Sequence, residues 1–245
     1  MPRKCSRRYQ ARFADTKADI ASAQALRHRC FRGSEGVDTD RFDAMCQHVL
    51  IEDMRENGRL VGCFRLMQLT DGSQIDQSYA AQYYELSALR SYAAPMVELG
   101  RFCIAPEVDD GADVLRVAWA MMTRFVDDSK TGMLFGCSSF QGTNESAYSD
   151  TFAMLRDRHI APKRWLPRIK APKVFRYGDG TCPSSDRKRG LRMMPPLLRT
   201  YITMGGWVSD HAVVDHDLDT LHVFTGLEIA AVPPARARLL RAVMG

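Results

Sequence analysis

An acidic and a basic residue lie three positions apart in the apolar stretch Val97-Glu98-Leu99-Gly100-Arg101-Phe102-Cys103. The stretch predicts a β-strand, on which Glu98 and Gly100 point to one face and Leu99 and Arg101 to the other. A carboxylate on a central strand is costly unless it has a partner. We therefore expect Glu98 to form a structural salt bridge with an arginine or to act as a general base. Gly100 suits a bulge or the close approach of a ligand to the backbone.

A second group of reactive side chains occupies Asp40-Arg41-Phe42-Asp43-Ala44-Met45-Cys46-Gln47-His48, just before a predicted strand. Cys46 and His48 have the chemistry of a nucleophile and its base, but a spacing of two residues is weakly specific. Turn and cap roles for Asp40 and Asp43 fit the same pattern. A metal site would need further ligands nearby, which this stretch does not supply, so no metal is expected.

Two further polar groups lie later in the chain. A predicted strand over Met133–Phe140 ends in small polar residues that include Ser138 and Ser139. Backbone donors and hydroxyls at the end of a sheet are a usual place for ligand binding. Near the C-terminus, acids and histidines indicate either a site for a cationic substrate or a metal, or a solvated loop: Asp210, His211, Asp215, His216, Asp217, Asp219 and His222.

Helices and strands alternate in the part of the chain that must position these groups. Asn57-Gly58 is a strong hairpin signal between two of the strands. The order predicts a sheet with helices packed on it, in the α/β or α+β class. The expected elements are a helix over Asp19–Phe31, strands over His48–Glu52 and Arg59–Leu69, a helix over Tyr79–Ser87, a strand over Met96–Ile104, a helix over Asp113–Asp128, a strand over Met133–Phe140 and a helix over Tyr148–Arg158.

Prolines interrupt the pattern after Ala161. No change of composition marks a linker, so we expect one domain over residues 1–245, with a core at about 13–160 and a basic, loop-rich C-terminal part at about 161–245. The elements expected in that C-terminal part are an exposed loop over Ser184–Gly190, a short helix over Leu197–Met204 and a strand over Leu221–Ile229.

The composition is that of an ordinary globular protein. The 245 residues are 45% hydrophobic and 26% charged, which excludes disordered, collagen-like and low-complexity classes. No apolar run approaches the roughly 20 residues of a membrane-spanning helix, and the basic N-terminus lacks the apolar segment of a signal peptide. The 7 widely spaced cysteines, without a C-x-x-C pair, predict reduced and mostly buried thiols. We expect a cytosolic protein.

Positive charge is concentrated between Leu155 and Arg199. This segment holds 13 Lys or Arg and three Asp, a balance of +10, so the net charge of +5 leaves −5 for the rest of the chain. Such a face attracts an acidic protein, anionic lipid headgroups or nucleic acid. Nucleic acid is the least supported of these partners, because no reading motif accompanies the charge. A solvated surface is the alternative interpretation.

Several segments together resemble the ornithine Nα-acyltransferases of bacterial ornithine-lipid synthesis. That family has a GNAT-like fold, a mixed sheet flanked by helices, and resembles the acyl-homoserine-lactone (autoinducer) synthases. The resemblance covers about Phe13 to Ile229. Its segments are FDAMCQHVLIED, RLVGCFRLM, VELGRFCIAPE, MLFGCSSFQGT and PPLLRTYITMGGWVSD. The residues that also match the autoinducer synthases are Arg27, Phe31, Asp43, Arg65, Glu98, Arg101 and Phe102.

The resemblance implies transfer of a 3-hydroxy fatty acyl group from acyl carrier protein to the α-amine of L-ornithine, the first step of ornithine-lipid synthesis. The phosphopantetheine thioester would be the donor substrate, with no other cofactor. Acetyl-CoA enzymes of this fold bind pyrophosphate through a glycine-rich loop at a helix N-terminus. The corresponding residues 106–113 have one Gly and four carboxylates, which oppose a pyrophosphate. This departure favours a carrier protein over CoA and gives the basic segment an acidic partner.

The implied mechanism is direct attack of the amine on the thioester. Glu98 would be the base, and N–H groups of the Gly100 strand would stabilise the oxyanion. Arg101 and Arg65 would bind the substrate carboxylate or hold Glu98 ionised. The other residues expected to bind substrate are Asp43 and Asp210, toward the δ-ammonium group, with Phe102, Ser138 and Ser139.

Three alternatives stay open at this point. An acyl-homoserine-lactone synthase needs an S-adenosylmethionine site, and Cys46 stands where autoinducer synthases have a second Asp. A CoA-dependent amine acetyltransferase conflicts with the acidic loop. A non-catalytic lipid- or protein-binding relative would tolerate the loss of Glu98 and Arg101. For the basic region, peripheral contact with the anionic inner membrane is a further expectation.

Overall fold

The computed structural model describes residues 8–178 and 186–242. These residues form two compact units, and the chain passes between the units more than once. The first unit contains residues 8–67, 99–128 and 237–242, and the second contains residues 68–98, 129–178 and 186–236.

The strands are β1 (Tyr9–Phe13), β2 (Gln47–Asp53), β3 (Arg59–Leu69), β4 (Tyr84–Glu85), β5 (Met96–Ile104), β6 (Met133–Gln141), β7 (Arg168–Ile169), β8 (Val174–Arg176), β9 (Trp207–Val208), β10 (His211–Asp215) and β11 (Thr220–Glu228). The helices are α1 (Lys17–Arg32), α2 (Gly111–Asp128), α3 (Ser149–Arg158), α4 (Arg187–Met193), α5 (Pro196–Thr203) and α6 (Pro234–Ala242). Short 3-10 helices occupy several connections, among them Gly72–Gln77, Ala80–Gln82 and Ser87–Leu89.

The first unit is built on strands in the order β1-β2-β3-β5. The β1–β2 and β2–β3 pairs are antiparallel. In the turn between β2 and β3, Asn57 and Gly58 both adopt positive φ, 55° and 77°, which the Asn-Gly pair permits. The α1 helix begins with a capping box formed by Thr16 and Asp19. Its buried Leu26 belongs to a core cluster that includes two free, buried thiols, Cys63 and Cys103.

The second unit is built on antiparallel strands in the order β6-β11-β10-β8, with β9 paired to β11. One face of these strands carries a hydrophobic core under α3 and α5, which includes Phe152 and Leu155 from α3 and Leu198 and Ile202 from α5. The opposite face carries aromatic and imidazole side chains, because successive residues of a strand point to alternate sides. That second face holds Ser139, His211 and His222.

The predicted α/β class is confirmed, and most core elements match their predicted bounds. The strands over Arg59–Leu69 and Met96–Ile104 agree at both ends, and α2 begins two residues before the predicted Asp113. The helix predicted over Tyr79–Ser87 is wrong. This segment instead contains a 3-10 turn, the strand β4 paired with β7, and a second 3-10 turn. Tertiary pairing of Tyr84 with Ile169 overrides the local helical pattern here.

The loop predicted over Ser184–Gly190 lies partly outside the described residues. Its last four residues are helical, since Asp186 caps the start of α4 by accepting hydrogen bonds from two backbone N–H groups. Gly190 lets α4 approach α3 closely, because a Cβ at this position would lie 2.8 Å from the carbonyl oxygen of Asp150. Within the described part of the chain, no helix is long and apolar enough to span a membrane.

Candidate active site

Three arginines converge on the loop that precedes β2 in the first unit. Arg27 comes from α1, Arg65 from β3 and Arg101 from β5. The loop supplies the carboxylates of Asp38, Asp40 and Asp43, and with the arginines these form what we term the ion network. Because each arginine comes from a different element, the network fixes the loop against the helix and two strands.

Each carboxylate of the ion network binds at least two cationic groups. Arg65 donates to both oxygens of Asp40, at 2.6 and 2.7 Å, and to Asp43 Oδ1 at 2.6 Å. Arg27 donates to Asp43 Oδ1 at 2.8 Å and to Asp38 Oδ2 at 2.8 Å. Arg101 lies 3.0 Å from Asp38 Oδ2 and 3.2 Å from Asp40 Oδ2. Such bidentate pairs are the strongest that a guanidinium group makes.

The ion network is buried and electrically balanced. Arg27 is 1% exposed and Arg65 is 2% exposed. Burial raises the pKa of the Asp43 carboxyl, but the hydrogen bonds from Arg27 and Arg65 outweigh this and hold the pKa well below its usual range. Three guanidinium groups face three carboxylates, so the formal charges of the network balance. Asp43 and Arg65 therefore bind each other here, and their contact with substrate stays a prediction.

The backbone after Gly100 is irregular. Arg101 adopts φ of +52°, which is uncommon for a residue with a side chain and is associated with functional sites. Gly100 itself has space nearby, since a Cβ there would lie 3.4 Å from Arg65 Nε. Phe102 stacks on Phe64 with ring centroids 5.9 Å apart. The distortion that the sequence predicts at Gly100 thus lies one residue later.

His48 is buried beside the ion network. Its Nε2 lies 3.0 Å from the carbonyl oxygen of Asp43, and burial lowers the pKa of its imidazole. The contact with Asp43 orients the ring toward the loop backbone. Cys46, which follows Asp43 in the loop, is partly exposed.

Glu98 lies in the second unit and binds backbone N–H groups. Oε2 accepts a hydrogen bond from Tyr79 N at 2.8 Å, and Oε1 accepts one from Ala80 N at 2.7 Å. The side chain is 4% exposed. Hydrogen bonds of this kind favour the charged form of a carboxyl group. Glu98 thus holds the start of the Ala80–Gln82 turn.

The predicted serines of β6 differ in exposure. Ser138 is buried, and its Oγ accepts a hydrogen bond from Thr225 Oγ1 at 3.0 Å. Ser139 points to the other face, where it is exposed and lies opposite His222 of β11. A ligand on that face would therefore meet Ser139 before it met Ser138.

The acidic and histidine-rich group near the C-terminus separates into two parts. Asp210 Oδ1 lies 2.6 Å from His211 Nδ1, and His211 is fully buried. Asp215 accepts hydrogen bonds from the backbone N–H groups of Asp217 and Leu218, so it shapes the turn between β10 and β11. Among the described residues, no three His, Cys, Asp or Glu side chains are arranged to hold a metal ion.

The acidic segment before α2 is partly neutralised by arginines. Glu107 lies 3.1 Å from Arg29, and Asp110 lies 2.8 Å from Arg8. Asp113, in the first turn of α2, lies 3.2 Å from Arg116. The repulsion of a pyrophosphate that the sequence predicts is therefore weaker than the count of carboxylates implies.

The structure distributes the predicted site residues over both units. The first unit holds Asp43, Arg65, Gly100, Arg101 and Phe102, and the second holds Glu98, Ser138, Ser139 and Asp210. Sequence reasoning did not single out Asp38, a member of the ion network, or Tyr84, which contacts His222. Strand alternation in β10 and β11 is the signal that would have placed His211 and His222 on one face.

Comparisons with known proteins identify the fold. Residues 24–120 match the acetyltransferase (GNAT) domain family. Among solved structures, the chain is similar to TofI in an apo form, with a TM-score of 0.52, 17% identity and coverage of 97% of this chain and 99% of that one. It is also similar to the CoA-dependent acyl-homoserine lactone synthase BjaI with MTA, with a TM-score of 0.52, 14% identity and coverage of 97% and 89%. At these identities, the likeness shows a GNAT-like fold.

Several relatives match nearly the whole chain. The L-ornithine N(alpha)-acyltransferase of Rhodobacter capsulatus is 29% identical over 240 residues, which cover 91% of each chain. The L-ornithine N(alpha)-acyltransferase of Brucella abortus is 30% identical over 244 residues, which cover 91% of this chain and 85% of the relative. Because the similarity extends over both compact units, this chain belongs to the L-ornithine N(alpha)-acyltransferase family and is an acyltransferase.

Proposed function

We propose that this protein transfers a 3-hydroxy fatty acyl group from acyl carrier protein to the α-amine of L-ornithine. The observation that carries the proposal is the similarity to relatives named L-ornithine N(alpha)-acyltransferase over 91% of the chain. The product is a lyso-ornithine lipid, which makes the reaction the first step of ornithine-lipid synthesis. The donor is the phosphopantetheine thioester, and no separate cofactor takes part.

In the proposed reaction, the amine attacks the thioester carbonyl carbon. A carbon–nitrogen bond forms, the carbon–sulfur bond breaks, and the thiol of phosphopantetheine leaves. The α-ammonium group first loses a proton, and we assign its acceptance to Glu98, directly or through a water molecule. The hydrogen bonds from Tyr79 N and Ala80 N hold this buried carboxylate in a fixed position. The irregular backbone at Arg101, next to Gly100, supplies candidate donors to the oxyanion.

The acceptor amino acid has groups of both charges. We assign the α-carboxylate to the arginines Arg65 and Arg101, and the δ-ammonium group to Asp43 or Asp210. The ion network already joins Arg65 to Asp43 at 2.6 Å, so ornithine binding at these residues would exchange internal ion pairs for substrate pairs. Phe102, Ser138 and Ser139 are assigned to the acyl group and its thioester.

A carrier protein as donor suits the positive charge of α4. The exposed residues Arg187, Lys188, Arg189 and Arg192 belong to α4, and Gly190 seats this helix on α3. An acidic carrier protein is complementary to this positive surface. Co-sedimentation with vesicles of phosphatidylglycerol tests the competing partner, since binding to vesicles without binding to carrier protein would assign the surface to a membrane.

The deciding experiment is mass spectrometry of the purified protein with 3-hydroxypalmitoyl carrier protein and ornithine. A lyso-ornithine-lipid mass that depends on the carrier protein supports the reaction. Product from acyl-CoA alone would overturn the assignment of the donor and favour a CoA-dependent enzyme. A lactone product with S-adenosylmethionine would indicate an acyl-homoserine-lactone synthase, and no product with any donor would indicate a binding protein.

The role of Glu98 is tested by Glu98→Gln with Glu85→Gln as a matched control. Glu85 also accepts a backbone hydrogen bond, from Ser87 N at 2.8 Å, and lies in the same segment of the chain. We expect the Glu98→Gln variant to lose product formation by at least about 100-fold, the usual contribution of a general base. Equal activities of the two variants would remove Glu98 from the chemistry.

A further inference from the structure

Two imidazole rings lie buried on one face of the second unit's strands. His222 is paired with Val213 in the β10–β11 ladder, and His211 lies two residues before Val213. This spacing places both rings on the same face. His211 is 0% exposed and His222 is 3% exposed. Neither Nε2 atom has a hydrogen-bond partner among the described residues.

The hydrogen bonds at the Nδ1 atoms determine the state of both rings. Asp210 Oδ1 lies 2.6 Å from His211 Nδ1, and a carboxylate only accepts, so this Nδ1 carries a hydrogen. Tyr84 donates its one hydroxyl hydrogen to the carbonyl oxygen of His222 at 2.8 Å. The phenol oxygen, 3.2 Å from His222 Nδ1, therefore accepts from that nitrogen.

With a hydrogen on Nδ1, each ring in its neutral form presents a lone pair at Nε2. Burial lowers the pKa of His222 to about 4, and it also lowers the pKa of His211. A buried acceptor without a donor is costly, and native proteins contain few of them. The pair is thus built to receive a hydrogen-bond donor that is not part of the described chain.

The surroundings of the two rings are aromatic and become exposed at one edge. Tyr83 lies edge-on to His222 with ring centroids 4.9 Å apart, and the Tyr84 ring lies 5.3 Å from that of His211. Phe224 continues this face at 5.6 Å from Tyr84. Across the ladder from His222, Ser139 is exposed. An apolar chain with one polar group matches this combination of aromatic lining and paired acceptors.

The charges near the two rings favour a neutral donor over an ammonium group. Arg176 lies directly opposite His211 in the β8–β10 ladder, and its positive charge opposes a second cation. The nearest carboxylate, Asp210, is bound to His211 Nδ1 and is 44% exposed, so it does not supply a buried counter-ion. A buried ammonium group without a counter-ion would be strongly disfavoured.

We propose that His211 and His222 form an acceptor site for the hydroxyl group of the acyl substrate, and so determine a preference for hydroxylated acyl chains. The assignment rests on the proposed function, because it takes the acyl group of that reaction as its ligand. Tyr84 and Asp210 are positioning residues in this site, since they hold the hydrogens on Nδ1 and leave Nε2 free to accept.

The test compares 3-hydroxypalmitoyl and palmitoyl carrier protein as donors to ornithine. We expect kcat/KM of the unmodified protein to favour the hydroxylated donor by at least about tenfold, the value of one buried hydrogen bond. His222→Phe and His211→Phe keep a ring but lose the acceptor. Each is expected to bring the ratio of the two kcat/KM values toward one, mainly through loss of activity on the hydroxylated donor.

Two further variants separate this role from a structural one. Tyr84→Phe removes only the hydroxyl that fixes the His222 tautomer, so the ratio should fall part of the way. Tyr148→Phe is the matched control, because this partly buried phenol packs on Phe140 and Phe152 on the other face of the strands, and its hydroxyl donates to the carbonyl oxygen of Gln141. We expect it to leave the ratio unchanged.

The outcomes distinguish the inference from the proposed function. If both donors are used equally by the unmodified protein, the imidazoles bind water only and the inference is wrong, while the acyltransfer stands. A ratio that is unchanged in both histidine variants overturns it as well. Failure to transfer either acyl group to ornithine would instead overturn the proposed function.

Discussion

Ala80 N donates a hydrogen bond to Glu98 Oε1 at 2.7 Å, which joins the proposed base to the segment that carries Tyr84. The second oxygen of Glu98 accepts from Tyr79 N in the same way. Tyr84, four residues after Ala80, in turn holds His222. Glu98 therefore has a structural task that is independent of any proton transfer.

The structural task of Glu98 predicts a loss of stability in the Glu98→Gln variant. An amide nitrogen would replace one acceptor and would face a backbone N–H group, leaving a buried donor without a partner. We expect the free energy of unfolding to fall by about 1–3 kcal/mol. Urea denaturation measures this change, with Glu85→Gln as a control at a more exposed carboxylate that also accepts a backbone hydrogen bond. Unchanged stability together with lost product would mean that Glu98 acts in the chemistry alone.

The ion network predicts a larger loss when one carboxylate is removed. Asp43→Ala would leave Arg27 and Arg65 buried with fewer partners, and breaking a buried ion pair in this way costs about 3–5 kcal/mol. The measurement is the urea midpoint at neutral pH, converted to a free energy of unfolding.

A surface ion pair provides the control for this prediction. Asp76 lies 2.7 Å from Arg90, but both side chains are more than half exposed. Asp76→Ala should therefore change the free energy of unfolding by less than about 1 kcal/mol. Similar losses in the two variants would show that the ion network is solvated in solution.

The sequence predicts the elements of this fold better than it predicts the partners of its charged residues. Strand β5 and helix α2 follow from local patterns of apolar residues, which are sufficient to define them. The partner of Glu98 lies in Tyr79–Ser87, a segment whose pattern indicates a helix but whose structure follows from pairing with β7. Asp38 was also missed because its role depends on contacts between residues that are distant in sequence. Its carboxylate joins the ion network only because the fold brings Arg27 and Arg101 next to it.

Because burial lowers the pKa of several histidines, we expect the protein to lose stability in mild acid. The pKa of His222 is about 4 in the folded protein, against 6.5 for an unburied imidazole. Between these values the unfolded chain binds a proton that the folded chain does not, so the free energy of unfolding falls as pH falls from 6.5 to 4. His222 alone accounts for about 3 kcal/mol. His48, His159 and His211 act in the same direction, since burial lowers the pKa of each.

Urea denaturation at pH 7 and pH 4.5 measures this dependence. His222→Phe should reduce the difference between the two pH values, whatever its effect on stability at pH 7. His216→Phe, a change at an exposed position, is the control that should keep the full difference. If His222→Phe also keeps it, then His222 is not buried as a neutral ring in solution.

The surroundings of Gly72, in the segment that leads to Ala80 and Tyr84, predict that only glycine is tolerated at position 72. A Cβ at this position would lie 1.9 Å from the carbonyl oxygen of Leu89, and Gly72 N donates to the carbonyl oxygen of Tyr92 at 2.7 Å. Because the neighbouring atoms are backbone, they cannot move aside without displacing the segment. We expect Gly72→Ala to lower the free energy of unfolding by about 3 kcal/mol and to reduce acyltransfer.

Gly111, at the start of α2, provides the control, because no atom lies within 4 Å of the position that a Cβ would occupy there. Gly111→Ala should therefore be neutral or slightly stabilising, by less than about 1 kcal/mol. Equal melting temperatures for the two variants would show that the contact between Gly72 and Leu89 is looser than the structure indicates.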